Sequence, residues 1–311
     1  MTHKEIPMRF LTFSSKDATR RAGVLSRDGK KVLCLARAQK QCGDAGIPAS
    51  ILEIVQKGDA ILPAVQALLD KAEADGKHQA FSPLEHVTIH APYNNPPRNI
   101  FCVGLNYHAH ALEFEQTNDA SKAVPKFPII FTKPNTAIAD PDTAIDSHIA
   151  ESDSYDYEVE LAVIIGKAGK NIPGEKAYEH VFGYSIINDL TARDLQKRTS
   201  QWFSGKCLDE SAPFGPYLVH KSAVPDPQNL DLRCSINGEL RQDSNTKLMI
   251  FDIPTLIATL SKGSTLMAGD IIATGTCPGV GMGFTPPKFL KPGDTIEMTI
   301  QQIGTLRNTV R

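Results

Sequence analysis

Residues 155–194 read YDYEVELAVIIGKAGKNIPGEKAYEHVFGYSIINDLTARD. In the first part of this stretch Asp156, Glu158 and Glu160 fall on one side of an extended strand, and Val159, Leu161 and Val163 on the other, because side chains alternate across a strand. The second part, Val181 to Asn188, is largely apolar, ends at Asp189 and runs on into the start of a helix. A strand that ends in an acid before turning places that acid at the rim of its sheet. Glu158, Glu160 and Asp189 can then meet at one point, where like charges repel unless a cation joins them or one stays protonated. All-oxygen ligation suits a hard ion, Mg²⁺ or Mn²⁺, with positions left for water and substrate. The same spacing also fits a solvated acidic strand face with Asp189 as a helix cap, so the rest of the chain has to decide.

At 311 residues, the chain can hold one large domain or a large one with a smaller companion. Hydrophobic and charged fractions of 41% and 22% are those of a globular protein. A formal net charge of −2 gives no electrostatic reason to expect nucleic acid or an anionic membrane as partner. No apolar run approaches the roughly 20 residues of a membrane span, and MTHKEIPMRFLTF shows no signal-peptide pattern. The six cysteines are scattered without a C-x-x-C pair, which argues against a zinc site and for reduced thiols in a cytoplasm.

Residues 8–14 and 22–35 read as strands joined by an Asp28-Gly29 hairpin turn. Residues 49–73 have helical periodicity, broken at Gly58-Asp59. Residues 75–98 are polar and proline-rich, a linker out of a small N-terminal domain spanning 1–95. From Asn99 onward, short apolar strands alternate with Gly/Pro turns: 100–103, 129–132, 158–165, 181–187, 217–219, 232–236, 271–274 and 295–300. Asn237-Gly238 and Pro292-Gly293-Asp294 mark turns, and Pro254–Leu260 is a helix candidate. This β-rich pattern fits a mixed barrel or roll better than a doubly wound sheet. Residues 113–127, EFEQTNDASKAVPKF, are polar without clear periodicity and long enough for a lid.

His110 and Glu113 stand three apart, so one helical turn puts them on the same face. A carboxylate beside a histidine orients the ring and raises its basicity, as the activation of a water requires; a surface pair has the same spacing. His108 falls off that face. Arg193 and Gln196 share the next helix face after Asp189, and Lys206 lies among Trp202, Phe203 and Leu208. Arginine suits planar carboxylate recognition and lysine supplies a point charge, although a basic solvated face would read alike. Gly279, Gly281 and Gly283 lack the following helix of a dinucleotide fingerprint. A strand ending in the Thr274 hydroxyl and a backbone-rich turn able to hold a small anion is the better reading. No G-x-S-x-G elbow is present.

FCVGLNYHAHALE, PIIFTKPNTAI, DYEVELAVIIGK, GYSIINDLTARDLQ, SGKCLDESAPFGPYL, GDIIATGTCPGVG and IGTLRN, in this order, resemble the fumarylacetoacetate hydrolase family over most of residues 99–308. The resemblance implies an α+β, β-rich fold: a mixed β-sandwich or roll at 96–311 with a small N-terminal α/β domain, in a cytoplasmic homodimer. It implies Mg²⁺ or Mn²⁺ on Glu158, Glu160 and Asp189. It also implies a His110–Glu113 dyad on a lid, Lys206 beside the metal, and Arg193, Gln196 and Thr274 lining the substrate site. The expected reaction is hydrolysis of the C–C bond of an acylpyruvate such as fumarylpyruvate, with oxaloacetate decarboxylation and isomerisation of a related keto acid as alternatives. The long polar segment after Glu113 leaves the acyl group open.

Overall fold

A computed structural model describes residues 8–74, 79–117 and 119–311. The expectations for the first seven residues, for 75–78 within the linker and for 118 within the lid lie outside these. The Val159–Ile165 strand is buried along its whole length. Val159, Leu161, Val163 and Ile165 enter one core, while Ala162 and Ile164 enter a second on the opposite face. The carboxylate-bearing face is therefore acidic only at its start and continues as core.

That strand sits inside a 12-stranded sheet. It pairs antiparallel with Val181–Asn188 on one side and with Ile271–Ala273 on the other. Val181–Asn188 pairs onward with Ala212–His220, which in turn pairs with Arg9–Ser14. Beyond Ile271–Ala273 come Ile100–Gly104 and Ile129–Lys133. The first core lies between this sheet and a five-stranded one built from Glu239–Asn245, Asp231–Ile236, Thr295–Ile300, Gly304–Val310 and Ala144–Ile145. Helix Ile253–Ser261 closes it with Ile253, Leu256 and Ile257. The expected strand-rich sandwich is thus the observed fold, with a further strand, Gly304–Val310, that its alternating Leu306-x-Asn308-x-Val310 pattern permits.

The second core joins the far face of the long sheet to helices Leu35–Cys42, Ile51–Lys57 and Leu62–Ala74. Ile51–Lys57 begins with a capping box: the Ser50 hydroxyl accepts from Glu53 N at 3.2 Å and the Glu53 carboxylate from Ser50 N at 3.1 Å. The break expected at Gly58-Asp59 is a 3₁₀ turn, Gly58–Ile61, entered through Gly58 at φ +62°. Three local readings change. The 22–35 segment ends as strand at Cys34, because Leu35 opens a helix that covers the second core. Phe81–Pro83 and Thr88–His90 are strands of the large sheet, not free linker. The start of the 113–127 segment is the last turn of helix His108–Glu115, and a short helix, Ala120–Ala123, follows.

The described residues up to 95 and the remainder therefore share one sheet. A polar tie reinforces the join: His90 bonds Ser14 Oγ through Nε2 and Asp140 Oδ2 through Nδ1, each at 2.8 Å. Gly183 marks the tightest strand contact nearby, since a Cβ there would lie 2.2 Å from the Val219 carbonyl oxygen. Backbone cannot move aside as a side chain can, so Gly183→Ala is expected to lower stability by about 1–3 kcal/mol, read as a drop in the thermal midpoint without loss of secondary structure.

Candidate active site

The first of the three acids comes from the residue just before the Val159–Ile165 strand, the second from inside it, and the third from the residue after Val181–Asn188. Antiparallel pairing of Val159 with Asn188 puts the strand start beside the neighbour's end. A carboxylate oxygen from each of Glu158, Glu160 and Asp189 then lies within 4.8 Å of the others, all of them buried. Asn188 helps hold the corner, its side-chain oxygen accepting from Glu158 N at 3.1 Å.

Cations surround the cluster. Lys206 Nζ donates to Glu158 Oε2 at 2.6 Å and to Asp189 Oδ2 at 2.9 Å, and sits 4.9 Å from the Phe131 ring centre. Lys133 Nζ donates to Asp189 Oδ1 at 2.8 Å and to the Leu190 carbonyl at 2.7 Å. Arg193 is ion-paired with Glu158 Oε1 at 2.7 Å, though without the alignment of a hydrogen bond, while its Nε donates to Asp156 Oδ2 at 2.8 Å. Burial pushes the Glu158 carboxyl up, but Lys206, Arg193 and His110 outweigh it and hold the group below the usual carboxylate range. Glu160 goes the other way: burial, then repulsion from Asp189 and Glu158, drive it well above. Burial works against the charge of Lys206, yet Asp189 and Glu158 raise it.

Three buried hard oxygen donors, one of them driven up by burial and by its neighbours' charge, fit a divalent cation, which would offset that repulsion. Glu158, Glu160 and Asp189 would hold it. The backbone N–H of Gly275 fixes Glu160 by donating to Oε2 at 2.7 Å, leaving the carboxylate's other oxygen outside that bond.

The dyad forms as expected on helix His108–Glu115. His110 Nδ1 and Glu113 Oε2 are 3.0 Å apart, and Glu113 Oε1 accepts from Gly279 N at 3.0 Å. His108 is exposed on the same helix. His110, Glu158, Glu160, Arg193, Gln196 and Lys206 line one cavity of about 10 Å³. That is room for about one water, so admitting a substrate requires a wall to move.

One expected wall residue, Thr274, is not among those that line this cavity. Thr274 donates its hydroxyl to the Leu161 carbonyl at 2.9 Å and is fully buried, whereas Thr276, two residues on, lines the cavity. Arg193 lines the cavity, with its Nε engaged by Asp156 Oδ2 and one terminal nitrogen 3.2 Å from Gln196 Oε1. The glycine turn does hold an anion, but the anions are the chain's own carboxylates, Glu113 and Asp156. The sequence did not single out Lys133, and it set Asp156 on the acidic strand face without giving it a role of its own. Lys133 looks like an ordinary strand end, and its pairing with a residue 56 positions away has no local signal.

The chain belongs to the fumarylacetoacetate hydrolase family: the family model described as fumarylacetoacetate (FAA) hydrolase C-terminal matches residues 99–311. Oxaloacetate tautomerase YisK of Bacillus subtilis (strain 168) is 47% identical, covering 91% of this chain and 94% of its own length. The mitochondrial oxaloacetate tautomerase fahd2 of Xenopus laevis is 39% identical, covering 98% and 91%. Among solved structures, a fumarylacetoacetate hydrolase from psychrophilic Exiguobacterium antarcticum is 39% identical with a TM-score of 0.79, covering 98% of this chain and 99% of that one. Maleylpyruvate hydrolase from Sphingobium sp. SYK-6, in complex with manganese(II) and pyruvate, is 29% identical with a TM-score of 0.72, covering 97% and 98%. Among the described residues no helix is long and apolar enough to cross a membrane.

Glu160→Gln removes one ligand charge and is expected to weaken Mn²⁺ binding by at least about 10-fold, measured by titration calorimetry; unchanged binding would remove Glu160 from the ligand set. Lys133→Met leaves the buried Asp189 short of a partner. Breaking a buried pair costs about 3–5 kcal/mol, so its thermal midpoint should fall further than that of an exposed-pair variant such as Arg233→Met.

Proposed function

We propose that the chain is a divalent-metal-dependent keto–enol tautomerase acting on oxaloacetate or a close short 2-oxo dicarboxylic acid. The observation that carries this reading is the backbone-tethered His110–Glu113 pair beside a buried, cation-flanked acid cluster. Tautomerisation needs one base that removes a proton and gives one back, and no attacking water. The two tautomerases among the relatives, similar along nearly their whole length, support it.

A divalent ion held by the three acids would polarise the 2-oxo group and acidify the adjacent C3 protons. His110 does the proton transfer. With Nδ1 committed to Glu113, the other ring nitrogen, Nε2, is the base. It takes a proton from C3 of the keto form, and a proton is returned to the 2-oxygen to complete the enol. One C–H bond breaks and one O–H bond forms, with nothing consumed. Glu113 stabilises the ring while it carries the proton, and the Gly279 N–H keeps Glu113 from swinging away. The Lys206 ammonium adds positive charge where negative charge develops on the 2-oxygen.

Hydrolysis of an acylpyruvate is the second reading, favoured by the maleylpyruvate hydrolase neighbour. It would use the same dyad on a water and the same positive charge on the pyruvate that leaves.

Loss of the enol absorbance of oxaloacetate, followed with Mn²⁺ or Mg²⁺ and again after EDTA, tests the proposal, with pyruvate release from oxaloacetate and from an acylpyruvate measured in parallel. Metal-dependent tautomerisation outpacing both releases is expected. His110→Ala should cut it by about 10²–10⁴-fold while leaving Mn²⁺ binding intact. Tautomerisation at the uncatalysed rate beside rapid acylpyruvate consumption would overturn the proposal in favour of the hydrolase.

A further inference from the structure

Asp156 takes no part in the three-acid cluster, yet it is fully buried and more densely bonded than any of those acids. Its Oδ1 accepts from Gly281 N at 2.6 Å and from Tyr157 N at 3.0 Å. Its Oδ2 accepts from Met282 N at 3.1 Å and from Arg193 Nε at 2.8 Å. The pairing of Tyr155–Asp156 with Thr191–Ala192 sets it beside Arg193. One carboxylate thus grips the Gly281–Gly283 turn on one side and, on the other, the arginine that is ion-paired with Glu158.

The same turn holds the dyad. Gly279 N donates to Glu113 Oε1, and a Cβ placed on Gly283 would lie 2.0 Å from that oxygen. The turn has little slack: a Cβ on Gly281 would meet the Lys288 carbonyl at 2.5 Å and Asp156 Oδ1 at 2.7 Å, and one on Gly279 the Arg241 carbonyl at 2.0 Å. Any shift of the turn moves the donor that fixes Glu113, and with it the ring of His110.

We infer that Asp156 is a positioning residue, coupling the acid cluster to the His110–Glu113 dyad through the Gly279–Gly283 turn. It touches no reacting atom and acts by keeping Glu113 anchored while the lid helix His108–Glu115 covers the site. The inference rests on the dyad being the base, as proposed above, but not on which keto acid is turned over.

Asp156→Asn in the full chain keeps the shape and removes the charge. An amide has one acceptor oxygen, so whichever way it turns, two of the four donors face an NH₂ group. Three results are expected. Turnover of oxaloacetate falls by about 10–100-fold with KM within about 3-fold of the parent and Mn²⁺ affinity little changed. Hydrogen exchange quickens by about 10-fold or more in 279–283 and 108–115, but not in the distant 295–310 hairpin. In a double-mutant cycle with Glu113→Gln the two losses are strongly non-additive, as for residues acting in one unit. Gly281→Ala, which displaces the turn and keeps the carboxylate, should give the same exchange signature and stands in if the Asn variant does not fold. Unchanged exchange in the lid helix, or additive losses in the cycle, would overturn the inference. Failure of the parent enzyme on oxaloacetate would sink the substrate assignment alone, because exchange reads the coupling without turnover.

Discussion

Charge crowding at the junction of two strands is the constraint around which this molecule is built. Glu158, Glu160 and Asp189 lie within 4.8 Å of one another, out of water. Ionised groups in such a place are tolerated only with partners. The protein supplies Lys206, Lys133 and Arg193, drawn from three separate segments, and each must be correctly placed for the others to be tolerable. The compensation is uneven. Glu158 is flanked by two of these cations and held ionised, while Glu160 has a backbone N–H and two acidic neighbours. The unevenness suits the corner to a divalent cation, and the two long strands, buried along their whole length, are the frame that carries the acids.

The second half of the site obeys a different rule. The dyad stands on a short helix, and its place is set from outside by the backbone of a glycine turn. Glycines at 279, 281 and 283 are there because backbone or carboxylate oxygens occupy the space a Cβ would take. The turn supplies directed N–H groups to two carboxylates of the same chain, the arrangement other proteins use for bound anions.

How much of this could be read beforehand follows from the range of each interaction. The acids, the dyad and the strands carrying them are local patterns, a period of two or a spacing of three, and the sequence displayed them directly. Lys133 pairs across 56 residues and Asp156 across 125, and nothing in their neighbourhoods announces it. Thr274 and Thr276 are both buried threonines that donate their hydroxyls to carbonyls of the same strand, Leu161 and Val159, and no local pattern tells which of them reaches the cavity. Residues 75–98 read as a connector because the short strands within it, with proline nearby, carry a weak period-two signal, and their partners, Lys31–Cys34 for Phe81–Pro83 and Arg9–Ser14 for Thr88–His90, lie far off in the chain.

The sharing of one sheet between the described residues up to 95 and the rest has a consequence for what can be cut away. The family model begins at residue 99, which suggests a convenient fragment. In that fragment Leu218 and Val219 would lose the strand that pairs with them, and Ala162, Ile164 and Phe182 would lose the helices that cover them. What remains is an open sheet edge beside a bare apolar face, the combination that recruits other chains into aggregates. The boundary at which the family model begins is a poor place to divide the chain physically.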